Sequence, residues 1–180
     1  MSLQPEDGSG VPDADSYCDV AAAVAYAVAR GLTFMASPSD AAEAALRRAS
    51  SWIDGTYVDR FTGKRVKGRG QGLQWPRTAA TDAEGIAVDP ATVPIEIIHA
   101  TCEAAVRELA TPGALAADVT PAGVIASASV SGAVSVTYRQ TQDIVGGSRL
   151  VVSAVDDILA PLIGRRRTAG AAVFAESVRG

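Results

Sequence analysis

The sequence predicts a mainly α fold: a small bundle of about four helices with one β-hairpin, an extended loop and a C-terminal tail. Three observations predict it. Hydrophobic residues make up 48% of the 180-residue chain while aromatics make up only 5%, and alanine supplies much of the difference. Alanine has the best intrinsic helix propensity, and its small side chain suits close packing between helices. Apolar residues recur at spacings of three and four in several separate stretches, whereas one late stretch alternates with period two. The length fits one domain with a real core, divided into a disordered or extended arm over residues 1–14, a domain over 15–163 and a tail over 164–180.

The arm is Pro, Gly, Asp and Glu with nothing evident to bury. Asp15 or Ser16 can cap a first helix running to about Arg30, and Gly31 supplies the stop. The apolar positions of that helix wrap most of the way round, so it is expected to be buried in the subunit or on assembly. Ser37-Pro38-Ser39-Asp40 opens the second helix with a capping serine, a proline in the first turn and an acid at the positive end. Ala45, Leu46, Ala49, Trp52 and Ile53 share its face, and Asp54-Gly55 is expected to end it.

Residues 56–93 lack a helical period and hold Tyr57, Phe61 and Trp75; a segment this long without one is often functional. Val93-Pro94 opens the third helix, whose stripe is Ile95, Ile98, Cys102, Ala105, Val106 and Leu109, and Thr111-Pro112-Gly113 ends it. From Ile125 to Tyr138, Val134, Val136 and Tyr138 alternate with polar residues. With a tight turn at Ser131-Gly132, this reads as a hairpin. A last helix is expected over about Ser148 to Ile163 before Arg165, Arg166 and Arg167 and a small-residue tail.

A net charge of −4 leaves any case for nucleic acid to local patches. Cys18 and Cys102 are the only cysteines, far apart in sequence, and read as reduced cytosolic thiols. Met1 to Asp15 do not have the pattern of a secretory signal. The longest apolar run, Val20 to Ala29, is about half the length a bilayer crossing needs, so no membrane role is expected.

The chemical survey predicts no enzyme, cofactor or metal site. His99, the sole histidine, lies beside a helical stripe with no GxSxG elbow elsewhere, and reads as structural. One histidine and two distant cysteines fall short of a zinc site. Gly68-Arg69-Gly70-Gln71-Gly72 lacks the GK[ST] ending of a phosphate loop and reads as a flexible turn. Asp156 and Asp157 are helix neighbours whose side chains diverge by roughly 100°, and read as solvated or capping residues.

The charge feature with content is the run Arg60, Lys64, Arg65, Lys67, Arg69 and Arg77, which faces a single acid, Asp59, and is flanked by Phe61 and Trp75. Cations interleaved with aromatics can hold phosphates and stack single-stranded bases. A positive loop on an acidic protein can equally meet an acidic surface of a partner or of the next subunit, which is the favoured reading, or lie solvated. The Arg165–Arg167 cluster carries the same alternatives. Trp75, beside rigid Pro76, is either an interface anchor or part of the subunit's own core.

The series Ser16-Tyr17 to Arg30-Gly31, Ala45 to Ala49 with Trp52-Ile53-Asp54, Gln74-Trp75-Pro76-Arg77, the turn Asp82 to Gly85, Val93-Pro94 and Ala100 to Leu109 resembles a known family. It is similar to the head–tail adaptor (connector) proteins of long-tailed phages and gene transfer agents, sequences often labelled DnaT-like single-stranded DNA-binding proteins. The resemblance covers most of residues 15–163, and the Trp-Pro-Arg step is its most specific part. It implies a homo-oligomeric ring of twelve subunits between the portal protein and a tail-side connector or stopper, in the neck of the virion and assembled in the host cytoplasm. Double-stranded DNA would pass through the channel. It also implies that the loop around Arg60–Arg77 and the tail from Arg165 contact portal and neighbours, and it brings no catalytic residues. The alternative is a single-stranded DNA-binding replication accessory protein.

Overall fold

This computed structural model describes residues 2–116, 128–130, 134–136 and 152–164. The fold is mainly α. Its helices are α1 (Val20–Ala29), α2 (Ser39–Tyr57), α3 (Ile95–Ala110) and α4 (Ser153–Ile163). The third is central and packs on the other three.

The face of α2 follows the sequence period, but that of α3 departs from the expected stripe: Cys102 and Ala105 are buried, whereas Ile95 is 55% exposed and Ile98, Val106 and Leu109 are half-buried. Ala42, Ala45, Leu46, Ala49, Ser50, Ile53 and Tyr57 are buried along one face of α2. Opposite them α3 buries Ile97, Ala100, Thr101, Ala104 and Ala105, so alanines on both sides let the helices approach. Leu46, Ile53 and Ile97 are the larger aliphatic side chains in this layer, each worth about 1.5–3 kcal/mol on burial. Pro94 precedes α3 and Glu96 lies in its first turn, as the sequence predicts. Beyond Ala110 the chain turns through Gly113 (φ 88°), and the buried Glu108 carboxylate fixes that turn by accepting from the Gly113 and Leu115 N–H groups at 2.7 and 3.1 Å.

Three helix limits differ from the sequence expectation. The cap of α1 is Asp19, whose carboxylate accepts from the Ala22 N–H at 2.7 Å. Asp15 and Ser16 are occupied elsewhere: Asp15 accepts from the Gln4 N–H and pairs with Arg47, and Ser16 donates to the Cys18 carbonyl. Ser37 does not cap α2, which follows Pro38 with no side-chain cap. That helix also runs through Asp54-Gly55 to Tyr57, because Ile53 and Tyr57 are both buried on its continuing face. Helix α4 begins at Ser153; the expected start near Ser148 lies outside the described residues.

The hairpin is present as β3 (Ala128–Val130) and β4 (Val134–Val136), antiparallel with Ser129 opposite Ser135. Its Ser131-Gly132 turn lies outside the described residues, as do Arg165, Arg166 and Arg167. A second antiparallel ladder, which the sequence reading did not foresee, joins β1 (Lys64–Arg65) to β2 (Arg77–Thr78) inside the long loop.

The arm also has something to bury. Glu6 is 6% exposed, and its carboxylate accepts from the N–H groups of Gly8, Gly10 and Val11 at 3.0, 2.8 and 2.9 Å. Gly8 (φ 96°) lies so close to Ala91 that a Cβ would stand 2.3 Å from its carbonyl oxygen. These contacts pack residues 2–14 onto the domain.

Candidate interaction surface

The basic loop divides into cations that the fold uses and cations that it presents. Arg77 is 7% exposed. Its Nε donates to the Thr62 carbonyl at 2.7 Å and its Nη2 to the Gly63 carbonyl at 2.9 Å. Its Nη1 donates to the carbonyl and the side-chain oxygen of Gln74 at 3.2 and 3.1 Å. Burial lowers the Arg77 pKa, yet the fork remains the staple of the β1–β2 loop. Arg60 is half-buried, donating to the Gly164 carbonyl and lying 3.6 Å from Asp156, so it ties the loop to the end of α4. Asp156, expected to be solvated or capping, lies in the first turn of α4 and also accepts from the Tyr57 hydroxyl at 2.9 Å. Lys64, Lys67 and Arg69 are exposed and Arg65 is half-buried.

Neither flanking aromatic is presented. Trp75 is 1% exposed and packs edge-on against the buried Phe61, with ring centroids 5.6 Å apart. Of the two roles the sequence allows Trp75, the structure places it in the chain's own core. The loop is also pinned rather than free. Gln71, 3% exposed, accepts from the Lys67 N–H at 2.9 Å and donates to the Leu73 and Pro76 carbonyls at 2.9 and 3.1 Å. Gly72 donates to the Val11 carbonyl at 3.0 Å, and a Cβ there would stand 2.3 Å from the Ala14 oxygen. Arm and loop are thus built against each other.

Beneath the loop sits a polar knot that no sequence motif signals. The Tyr17 hydroxyl donates to Asp54 and accepts from the Gln74 and Trp75 N–H groups at 3.1 and 3.2 Å; Asp54 also accepts from the Gln74 N–H at 3.0 Å. Burial pushes the Asp54 carboxyl up to about 6, against the pull of these hydrogen bonds, and pushes the Tyr17 phenol up as well. His99 lies 5.2 Å from the Tyr26 ring in a tilted contact, and burial, then Arg30, lowers its pKa.

The other exposed feature is apolar. Helix α1 buries only Ala23, Tyr26 and Ala27. Ala21, Ala22, Ala25, Val28 and Ala29 face outward, and the surface continues through Leu32 and Met35, with Val28 73% and Met35 61% exposed. Its full wrap of apolar residues was legible in the sequence; which side stays uncovered was not. A cleft of about 380 Å³, lined by Arg47, Arg48, Ser51, Trp52, Glu108 and Leu115, opens between α2 and the turn after α3. Its charges are already engaged, with Arg48 2.5 Å from Glu108. Among the described residues no cluster of His, Cys, Asp or Glu could hold a metal ion, and no helix is long and apolar enough to cross a membrane.

The described residues thus form a mainly α fold with an exposed apolar helix face and a pinned basic loop. Over residues 1–180 the chain matches, and belongs to, the family described as "Putative DnaT-like ssDNA binding protein". No curated protein and no solved structure matches it.

Proposed function

We propose that this chain is a structural adaptor subunit of a tailed phage or gene transfer agent, forming a ring between portal and tail around the passing DNA, without turnover. The single observation that carries the reading is the outward face of α1. A ten-residue helix without one charged side chain leaves Ala21, Ala25 and Val28 in solvent at helical spacing. A contiguous exposed apolar face marks a surface for contact with another protein, and a ring of copies between portal and stopper, twelve on the family resemblance, would supply a covering surface in every subunit. The exposed Lys64, Lys67 and Arg69 lie on the loop that the resemblance assigns to portal and neighbour contacts, where steering by charge is useful.

The second reading, a single-stranded DNA-binding replication accessory, has the family description in its favour together with those three cations. Against it stand Phe61 and Trp75, which are buried and offer no stacking platform for bases.

The test is electron microscopy of portal rings from the same virion mixed with this chain. A second ring of density on the portal is expected, and it should be lost with Val28→Glu while the helical circular dichroism and Tm stay unchanged. Undecorated portal, together with tight oligo-dT binding that weakens steeply with salt and is lost when Lys64, Lys67 and Arg69 are neutralised, would transfer the function to the second reading.

A further inference from the structure

The fold brings together the only two thiols in the chain. Cys18 and Cys102 are separated by 84 residues, yet their Sγ atoms lie 3.5 Å apart. Cys102 is on the buried face of α3 at 1% exposure; Cys18, 5% exposed, sits in the segment that links the arm to α1. That segment is held from the other side too, since Tyr17 donates its N–H to the Ser50 hydroxyl of α2 at 3.2 Å. The Cys18 N–H and carbonyl both meet the Ser16 hydroxyl, at 3.3 and 2.7 Å, which fixes the backbone that aims the thiol. Neither sulfur has any role in the polar knot, the basic loop or the α1 face.

We propose that Cys18 and Cys102 are a disulfide-forming site, converted by exchange with a small disulfide of the glutathione class. The contact needs to shorten by about 1.5 Å to reach a covalent S–S bond. One thiol, as its thiolate, attacks oxidised glutathione and expels one glutathione thiolate. The second protein thiolate then attacks the mixed disulfide at the protein sulfur and expels the other. Two protein thiols are oxidised, one glutathione disulfide is reduced to two glutathiones, and both protons pass to solvent or to the leaving thiolates. The contact with the Cys102 thiol, and then burial, raise the Cys18 pKa and hold it in its protonated form, so exchange waits on local opening of the arm segment. The bond ties the segment that carries the arm to the central helix. Because the arm braces the basic loop at Gly72, oxidation tightens both.

The inference stands apart from the adaptor reading, and its test reads the covalent state alone. The full chain is equilibrated in glutathione buffers of graded poise, starting from both reduced and oxidised protein, and each sample is quenched by alkylation and weighed by mass spectrometry. A parallel series runs in concentrated urea. An unstrained native pair closing a loop of this length should have an oxidation constant roughly 10²–10³-fold larger folded than unfolded. The oxidised chain should then melt about 5–10 °C higher than the reduced one. Cys102→Ala should abolish the melting difference. A folded-state constant equal to or below the unfolded one, or a disulfide found only between chains, would overturn the proposal. Approaching equilibrium from both sides keeps slow entry to a buried pair from being mistaken for a site that resists the bond.

Discussion

The α2–α3 layer and the arm-plus-loop layer are both tightly built, but by opposite means. Between α2 and α3 the buried faces are mostly apolar, with the Arg48–Glu108 ion pair joining the two helices, and they repeat every three or four residues, with alanines at Ala42, Ala45, Ala49, Ala100, Ala104 and Ala105 setting the spacing. In the arm and loop there is no repeat, and single polar side chains hold the backbone. Glu6 gathers three N–H groups, Gln71 spans Lys67 to Pro76, and Arg77 binds the carbonyls of Thr62, Gly63 and Gln74. The first kind of order is spread over many residues, so no single methyl group decides it. The second is concentrated, and one atom out of place leaves several buried backbone groups unpaired.

The hinge between the two layers is Trp75, an apolar anchor inserted from the loop into the shared core. Trp75→Ala is the largest expected effect, a loss of about 3–5 kcal/mol because the cavity cannot collapse against the pinned backbone. Urea unfolding measures it. A loss below about 1 kcal/mol would mean that the loop is not fastened through its aromatic.

Next in size is Glu6. Glu6→Ala strands three N–H groups in a buried pocket and should cost about 2–3 kcal/mol, whereas Glu6→Gln keeps one oxygen for Gly8 and Gly10 and should cost about half of that. Equal losses for the two variants would show that packing of the side chain, and not acceptance by its oxygens, orders the arm.

The contrast also explains which parts of the fold were legible in the sequence. Helix α3 was readable at both ends because Pro94 and Thr111-Pro112-Gly113 are local signals, and the face of α2 was readable because apolar spacing is written along the chain. The arm was not, because Glu6 does its work through Gly8 to Val11 and gives no sign of this in composition. Asp15 and Ser16 look like helix caps until Arg47 and Cys18 claim them, and Asp54-Gly55 looks like a stop until Tyr17 and Gln74 draw the carboxylate away. The Cys18–Cys102 pair is invisible for the same reason, being a product of where α1 and α3 meet. Of the cations read as a surface, Arg60 and Arg77 proved to be internal braces, since a guanidinium and a run of backbone carbonyls satisfy each other wherever the chain folds back.

A smaller effect separates the layers by pH. Asp54, with its carboxyl pushed up to about 6, binds a proton more tightly folded than unfolded. The native state therefore gains stability as pH falls through that value and loses it as pH rises. From about pH 7.5 to about pH 5 the gain is about 1–1.5 kcal/mol, or roughly 3–5 °C in Tm. Glu108 has the opposite sign. Burial raises it, but the Gly113 and Leu115 N–H groups and Arg48 outweigh this and lower its pKa, so its contribution is lost only in stronger acid. The wild-type optimum should thus lie on the acid side of neutrality, and Asp54→Asn should flatten the rise between about pH 7.5 and about pH 5. An unchanged slope in that variant would assign the rise to other carboxylates.

The smallest expected effect sharpens the comparison most. Replacing Lys64, Lys67 and Arg69 together with glutamine removes three charges from the same loop that Arg77 staples, yet stability should change by less than about 0.5 kcal/mol, because these heads point into solvent. Arg77→Gln, one residue of the same chemical type, removes donors from Thr62 and Gly63 and should cost several times more. If the chain decorates portal rings as proposed, a triple variant that melts like the wild type but decorates them more weakly would put those three side chains on the partner-facing side of the loop. If instead the triple variant unfolds as readily as Arg77→Gln, the exposed cations also brace the fold. The division of the loop into internal and presented charge would then collapse, and with it the reason for treating any part of the loop as a contact surface.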